Sequence, residues 1–346
     1  MKKLVLSMFA VAALASCVQN ETINPGSAID FGAPFVGNTT KAADPSYGQN
    51  AVELKEFYVY GTVQGTGAGE VNIFNGAKVT GSIGEAVWSC GVKQYWIPGA
   101  TYNFAAVVDA DVTPGANNMP AILVPVKHTV ADDAKHYVVD QLKDLLYAQP
   151  ATILNAAPQA NDTYAPVNFV FGHLLSKAHF TVTSNTQDGY YYNVKDIKIH
   201  NFKTGEYTIN TNKWNKETAT TDWAYELGDI LNVTAANTNQ TNATQVLLIP
   251  TTTDFQIECI VELLNNNGTD DVADDVLLRE IHYTAANKAN CDGCTNANAE
   301  HKAPFTVSTD LVKGHAYNFT LALTTGTEIK FTVTANPNWE GTTELQ

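Results

Sequence analysis

The chain has 346 residues, a formal net charge of −15, and only 16% charged side chains. That length accommodates two domains of about 150 residues each, and a composition rich in Thr, Asn, Ala and Val suits secreted β-structure better than a cytosolic helical protein. Arg279 is the only arginine. An acidic chain without clustered Lys and Arg argues against nucleic acid as a partner and against electrostatic adhesion to anionic lipid.

In chain order, an export signal comes first. Met1-Lys2-Lys3 is a short positive start, and Leu4 to Leu14 is an apolar stretch too short to span a bilayer comfortably. It ends in Leu14-Ala15-Ser16-Cys17, which resembles the bacterial lipobox. In that motif the peptidase cuts before the cysteine and the thiol carries lipid. Residues 1–16 are therefore expected to be a signal peptide, with Cys17 lipidated and the precursor held at a membrane through its acyl chains. The alternative is an ordinary secretory signal that happens to contain a cysteine.

The next feature is a strand pattern that occurs twice. Ile29, Phe31, Ala33 and Phe35 alternate with Asp30, Gly32 and Pro34, and near the other end Ile329, Phe331, Val333 and Ala335 alternate with Lys330, Thr332 and Thr334. Period-two alternation places each apolar set on one face of a strand, so the two segments can in principle fill the same groove. Between the first segment and the body lies Thr39-Thr40-Lys41-Ala42-Ala43-Asp44-Pro45, small and polar, with one basic residue for a trypsin-like protease. Cutting there would release the body from its anchor. The pattern predicts a subunit that loses its own edge strand and takes a neighbour's.

The body reads as β-structure. Val52 to Val63 is a predicted strand, and Gly65-x-Gly67-x-Gly69 a hairpin turn into Val71-Asn72-Ile73-Phe74. A phosphate-binding glycine loop would be followed by a helix, not by this β-rich run. Gly99-Ala100-Thr101-Tyr102-Asn103-Phe104 recurs as Gly314-His315-Ala316-Tyr317-Asn318-Phe319, a turn glycine launching an aromatic strand, which predicts two sandwiches built on related plans. Ala131 to Ala148 is the one predicted helix, with Ala134, Val138, Leu142, Leu145 and Leu146 on one face and Pro150 as its stop. Asn155 to Pro166 is a predicted connector, giving an N-terminal domain over 42–160 and a C-terminal domain over 161–346. In the second, strands are expected around Phe169–Phe171, His179–Thr183, Val194–His200, Tyr207–Asn210, Val246–Ile249, Phe255–Leu264, Val276–Tyr283, Phe305–Ser308, Tyr317–Leu323 and Ile329–Ala335. Asn232–Asn242 and Asn265–Asp275 are expected to be exposed polar loops.

No catalytic constellation is visible, whether a Gly-x-Ser-x-Gly elbow or a His-Glu-x-x-His zinc motif, and neither a cofactor nor a metal is expected. Cys291 and Cys294 flank Asp292-Gly293 in an Asn/Ala-rich stretch; a loop disulfide, free thiols, a metal site with His301, or redox chemistry are the readings, in that order. Cys90 and Cys259 are expected to be buried small hydrophobes or a bridge. His173 and His179 lie near one another in sequence, and the other histidines are dispersed, which favours structural roles. Asp270-Asp271 and Asp274-Asp275 read as a solvated turn rather than a calcium loop. Tyr190-Tyr191-Tyr192, Trp214 and Trp223 read as packing, with a sugar-binding platform as the alternative.

Several of these pieces together resemble the fimbrillin family, the shaft and tip subunits of type V pili from Gram-negative anaerobes. They are the lipobox, the Ile29-x-Phe31…Thr40-Lys41-Ala42 leader, Phe57-Tyr58-Val59-Tyr60-Gly61-Thr62, Tyr95-Trp96…Tyr102-x-Phe104, Asp144-Leu145-Leu146-Tyr147-Ala148, Phe171-Gly172-His173-Leu174-Leu175-Ser176-Lys177, Leu247-Leu248-Ile249-Pro250 and the final Ile329–Trp339 strand. The resemblance implies an all-β fold of two tandem transthyretin-like β-sandwich domains and a lipidated outer-membrane precursor. It also implies cleavage between Lys41 and Ala42, Ile29–Phe35 as the excised strand and Ile329–Ala335 as the donor strand. The partners it implies are other copies of the chain or related pilus subunits, a trypsin-like maturation protease, and a host protein or glycan. Two departures stand out. The basic residue is lysine where close relatives often have arginine, and the tail beyond Trp339 is short and acidic, which leaves open shaft subunit or cap. The second function class is a monomeric surface lipoprotein that binds glycan or host protein without assembling.

Overall fold

A computed structural model describes residues 27–36, 54–82, 85–108, 110–114, 120–125, 144–153, 164–202, 205–209, 211–216, 223–238, 240–241, 245–269, 271–284, 299–324 and 329–337. Among these, β-structure dominates and no α-helix occurs; the one helical piece is a 3-10 turn at Val272–Asp274, capped by the Asp271 carboxylate accepting from the Ala273 N–H.

The strands are β1 (Phe31–Gly32), β2 (Phe35–Val36), β3 (Glu56–Gln64), β4 (Val71–Thr80), β5 (Val87–Cys90), β6 (Thr101–Val108), β7 (Ala110–Pro114), β8 (Pro120–Pro125), β9 (Leu146–Ile153) and β10 (Val170–His173). They continue as β11 (Ser176–Asn185), β12 (Tyr190–Asn201), β13 (Gly205–Thr208), β14 (Lys213–Lys216), β15 (Trp223–Val233), β16 (Gln240–Thr241), β17 (Val246–Leu248) and β18 (Phe255–Asn265). The last five are β19 (Val276–Tyr283), β20 (Glu300–Lys302), β21 (Phe305–Val307), β22 (Ala316–Thr324) and β23 (Lys330–Asn336).

The first sheet has eight strands in the order β1-β5-β4-β3-β6-β9-β10-β2. Its central strands β6 and β9 are buried on both faces, and their side chains divide between two cores with period two. On β6, Tyr102, Phe104, Ala106 and Val108 join one core, while Ala105 and Val107 join the other. On β9, Leu146 and Ala148 face the first; Tyr147, with Leu145 just before the strand, faces the second. This corrects the predicted helix at Ala131–Ala148. Its residues 131–143 lie outside those described, but 146–148 begin β9, and Pro150 sits within that strand instead of stopping a helix. The run Leu145-Leu146-Tyr147-Ala148 is apolar at every position because both faces of its strand are buried, and such a run carries no alternation to distinguish it from one side of a helix.

A second pair of layers follows. One is the sheet β16-β11-β22-β23, with β17 also on β11; the other is β15-β12-β18-β19-β20, with β21 also on β18. Ala178, Phe180 and Val182 of β11 and Tyr317, Phe319 and Leu321 of β22 bury against Ile197, Ile199, Ile257, Cys259, Val261 and Ile281 of the facing sheet. The chain passes from the first sheet to this pair between β10 and β11. There the Leu174 N–H donates to the Leu145 carbonyl at 2.9 Å and the Trp214 indole donates to the Leu174 carbonyl at 2.9 Å. A division at 160/161 would separate β10 from the sheet to which it belongs, and the small sheet β14-β13-β8-β7 joins strands from either side of that point. Trp223–Val233 and Lys213–Lys216, not predicted, are strands, and β15 runs into the expected Asn232–Asn242 loop.

The repeated Gly-x-x-Tyr-Asn-Phe segments share one local device. Gly99 and Gly314 both hold positive φ, 78° and 72°. The Tyr102 hydroxyl accepts from the Ile97 N–H at 2.7 Å and points to the Tyr95 carbonyl at 3.4 Å. The Tyr317 hydroxyl accepts from the Val312 N–H at 2.7 Å and donates to the Asp310 carbonyl at 2.8 Å. Each tyrosine thus pins the turn behind it, a tyrosine corner of the kind found in β-sandwiches. Tyr317→Phe is expected to leave the packing and strand the turn's polar groups, costing about 1–3 kcal/mol. The urea midpoint should fall accordingly, and Tyr102→Phe should behave alike; an unchanged midpoint in both would show that the corners carry no stability.

Candidate functional site

The two ends of the first sheet, β1 and β2, come from the same short N-terminal segment. β1 pairs antiparallel with β5, Phe31 opposite Trp88 and Gly32 opposite Val87. β2 pairs parallel with β10, Phe35 opposite Val170 and Val36 opposite Phe171. Bridges from Ala28 to Tyr95 and from Phe31 to Val167 extend both contacts. Residues 27–36 therefore form the seam along which the first sheet closes on itself. Their backbone is satisfied on both sides: Ile29 N–H donates to Gln94 O at 2.8 Å, Trp96 N–H to Ser27 O at 3.0 Å, Gly32 N–H to Val167 O at 3.0 Å, and Val167 N–H to Asp30 O at 2.8 Å. Without this segment two strand edges open, each a row of unpaired donors and acceptors.

The predicted alternation holds only over Ile29–Phe31: Asp30 is exposed, whereas Ile29 is 3% and Phe31 0% exposed. It lapses beyond, with Gly32 and Pro34 buried and Ala33 partly exposed, because the segment leaves β1 to reach the opposite edge as β2. Phe31 sits in an aromatic pocket, its ring centroid 5.4 Å from Phe74, 6.0 Å from Phe169 and 6.3 Å from Phe104. Phe57 continues that pocket toward Trp88 at 5.6 Å and Phe171 at 5.6 Å. Beside the segment, a cavity of about 270 Å³ is lined by Ile29, Asp30, Trp88 and Cys90 among others. Each hydrogen bond across the seam is worth about 1 kcal/mol net, and full burial of a phenylalanine about 1.5–3 kcal/mol.

The C-terminal candidate is placed differently. β23 is an edge strand, antiparallel to β22 from Ala316 opposite Asn336 to Ala322 opposite Lys330. Ile329, Phe331 and Val333 are half-buried against the second core, and Ala335 is exposed. Phe331 stacks on Phe305 at 5.0 Å and Phe319 at 6.2 Å. Sequence reasoning placed a strand around Phe169–Phe171 but missed that Val167-Asn168-Phe169 walls the seam, although Val167, Phe169 and Phe171 are themselves an alternating apolar set.

Cys17, Lys41, Ala42, Cys291 and Cys294 lie outside the described residues. Cys90 and Cys259 are free thiols rather than a bridge, each pushed up by burial. The described histidines are integrated into the fold: His173 pairs with Asp144, His282 with Glu280, and His200 with Glu258 at 3.3 Å. Burial, and then the Lys177 charge, pushes the His179 imidazole down to about 4. Asp275 accepts from the Tyr191 hydroxyl. Among the described residues no group of His, Cys, Asp or Glu is arranged to hold a metal ion, and no helix is long and apolar enough to cross a membrane.

Fold and seam define an all-β protein whose first sheet is completed by its own N-terminal segment. The sequence profile of the fimbrillin-like family matches residues 40–339, and the chain belongs to that family. A fimbrial protein from Bacteroides vulgatus has a similar fold, with TM-score 0.56 and 14% identity over 90% of this chain and 99% of its own. A fimbrial assembly protein from Parabacteroides distasonis aligns over 90% of this chain and 100% of its own, at 15% identity and TM-score 0.39. No curated protein matches the chain in sequence. Family membership supports the role of a pilus subunit, associated with other pilus subunits in a cell-surface fimbrium.

Proposed function

We propose that the chain is a structural pilin made as a precursor lipidated at Cys17 in the outer membrane, cut between Lys41 and Ala42 by a trypsin-like protease, and polymerised by exchange of a strand. The observation that carries this reading is the seam. One segment, N-terminal to the only basic residue of the leader, joins both open edges of a sheet and fills its central aromatic pocket. Cleavage after that segment allows it to leave, and the vacated slot then needs a strand with the same Ile-x-Phe start. Ile329–Ala335 of a second copy has it. Strand addition of this kind draws affinity from main-chain hydrogen bonds and specificity from alternate side chains. In this reading the body comprises two sandwich domains, and the leader protects an aggregation-prone edge until export is complete.

The test is direct. Precursor treated with a trypsin-like protease should acquire Ala42 as its new N-terminus, lose residues 27–36, and then form ladders on a gel. A product starting at Ala42 that stays soluble, ordered and solitary at high concentration would overturn the proposal. The docking of β23 on its own β22 favours a second reading, a tip-located or monomeric surface lipoprotein that accepts a strand, or none, and binds host protein or glycan.

A further inference from the structure

Leader and tail share more than alternation. Ile29-Asp30-Phe31 and Ile329-Lys330-Phe331 have the same Ile-x-Phe spacing, and Phe331 is the only aromatic residue between 329 and 337. The slot vacated by Phe31 is walled by Phe74, Phe104 and Phe169, so an aromatic ring fits it better than Val333 or Ile329. Phe331 also has reason to move: in its own chain it is partly exposed on an edge strand, whereas Phe31 in the slot is fully buried.

This register has a consequence one residue further on. The side chain of Asn168 lies across Gly32: a Cβ at position 32 would come within 2.0 Å of Asn168 Oδ1 and 3.2 Å of its Cγ. The equivalent tail residue is Thr332. Asn168 is exposed, on the outer face of the short wall Val167–Phe169. The atom in the way is the far end of a side chain and can rotate away, but not while it keeps the position it holds over the leader's glycine.

We propose that the tail enters the slot in a single register, Phe331 replacing Phe31 and Ile329 replacing Ile29, and that Asn168 is the residue by which the groove discriminates its own leader from an incoming strand. The partner is the C-terminal strand of a second copy of this chain. The inference rests on the strand-exchange reading above. Leader and groove fit through Gly32 with Asn168 folded down; the tail fits only with Asn168 turned out. The leader is thereby favoured before cleavage, and exchange afterwards is slowed rather than forbidden.

The experiment uses the matured chain beginning at Ala42 and a fluorescent peptide of residues 327–337, followed by polarisation. Whether position 168 is wild-type or variant, the matured chain carries Phe331→Ala in its own tail, so that the tails of other copies leave the groove vacant for the peptide. The Phe331→Ala peptide should bind about a hundredfold or more weaker, the loss expected for emptying a packed aromatic site, while Val333→Ala should cost far less. The Thr332→Gly peptide should bind about tenfold tighter to the chain that keeps Asn168, and that gain should vanish on the exposed-site variant Asn168→Ala, a coupling diagnostic of direct contact. Peptides that bind with equal losses at 331 and 333, or with a Thr332→Gly gain unaffected by Asn168→Ala, would overturn the register while leaving strand exchange intact. Failure of every peptide to bind would overturn both.

Discussion

Replacing Phe31 by alanine is expected to destabilise the uncut precursor by about 3–5 kcal/mol, the range for emptying a fully buried aromatic site. The cost falls at the upper end because the pocket has little freedom to collapse. Its walls, Phe74 on β4, Phe104 on β6 and Phe169 beside β10, belong to a sheet held in register from both edges. Asp30→Asn, on the exposed face of the same segment, should be nearly neutral. The informative comparison is between precursor and product. A leader that leaves after cleavage takes residue 31 with it, so wild-type and Phe31→Ala precursors must yield products with the same sequence and the same thermal midpoint. The mutant precursor should also be cut faster at Lys41, since a leader that docks less firmly presents its linker more often. A Phe31→Ala precursor that melts with the wild type would remove the seam from any account of maturation.

Much of this was readable because the informative residues alternate. The Ile29–Phe31 start of the leader, the glycine hairpin between β3 and β4 and the paired Tyr-Asn-Phe strands follow from period two and from turn glycines such as Gly67, at φ 75°, and the bounds of β19 from its run of β-formers. Where burial is two-sided the signal fails, as at Leu145–Ala148, where a strand reads as a helix. Where a strand is a polar edge it fails in the other direction. β15 carries Glu226, Gly228 and Asp229 because it pairs only with β12 among the strands of its sheet, and its solvent-facing positions need no apolar side chain. The seam was legible only in part. Ile29 and Phe31 announce a buried strand, but nothing local says that its neighbours are Trp88 and Val167, residues far apart in the chain and brought together only by closure of the sheet. Discrimination by Asn168 has no sequence signature at all, since it arises from a glycine on another strand.

The second large effect concerns the other end of the chain. Phe331→Ala should lower the stability of the precursor only modestly, about 1–2 kcal/mol, because the ring is only partly buried and its stacking on Phe305 and Phe319 is made from an edge strand. After cleavage the same substitution should be far more severe. At each junction between subunits the alanine would leave the Phe31 pocket empty, costing about 3–5 kcal/mol per contact, or roughly two to four decades in association. Ladders and fibres of Phe331→Ala should therefore be absent at concentrations where the wild type assembles, although the cut monomer remains folded. Mixing mutant with wild-type subunits should shorten fibres in proportion to the mutant fraction, because a subunit with a defective tail can still accept a strand but donates poorly. The inequality between the two effects separates the readings: a tail that serves only its own β22 would show the small loss in stability and assemble, or fail to assemble, as the wild type does.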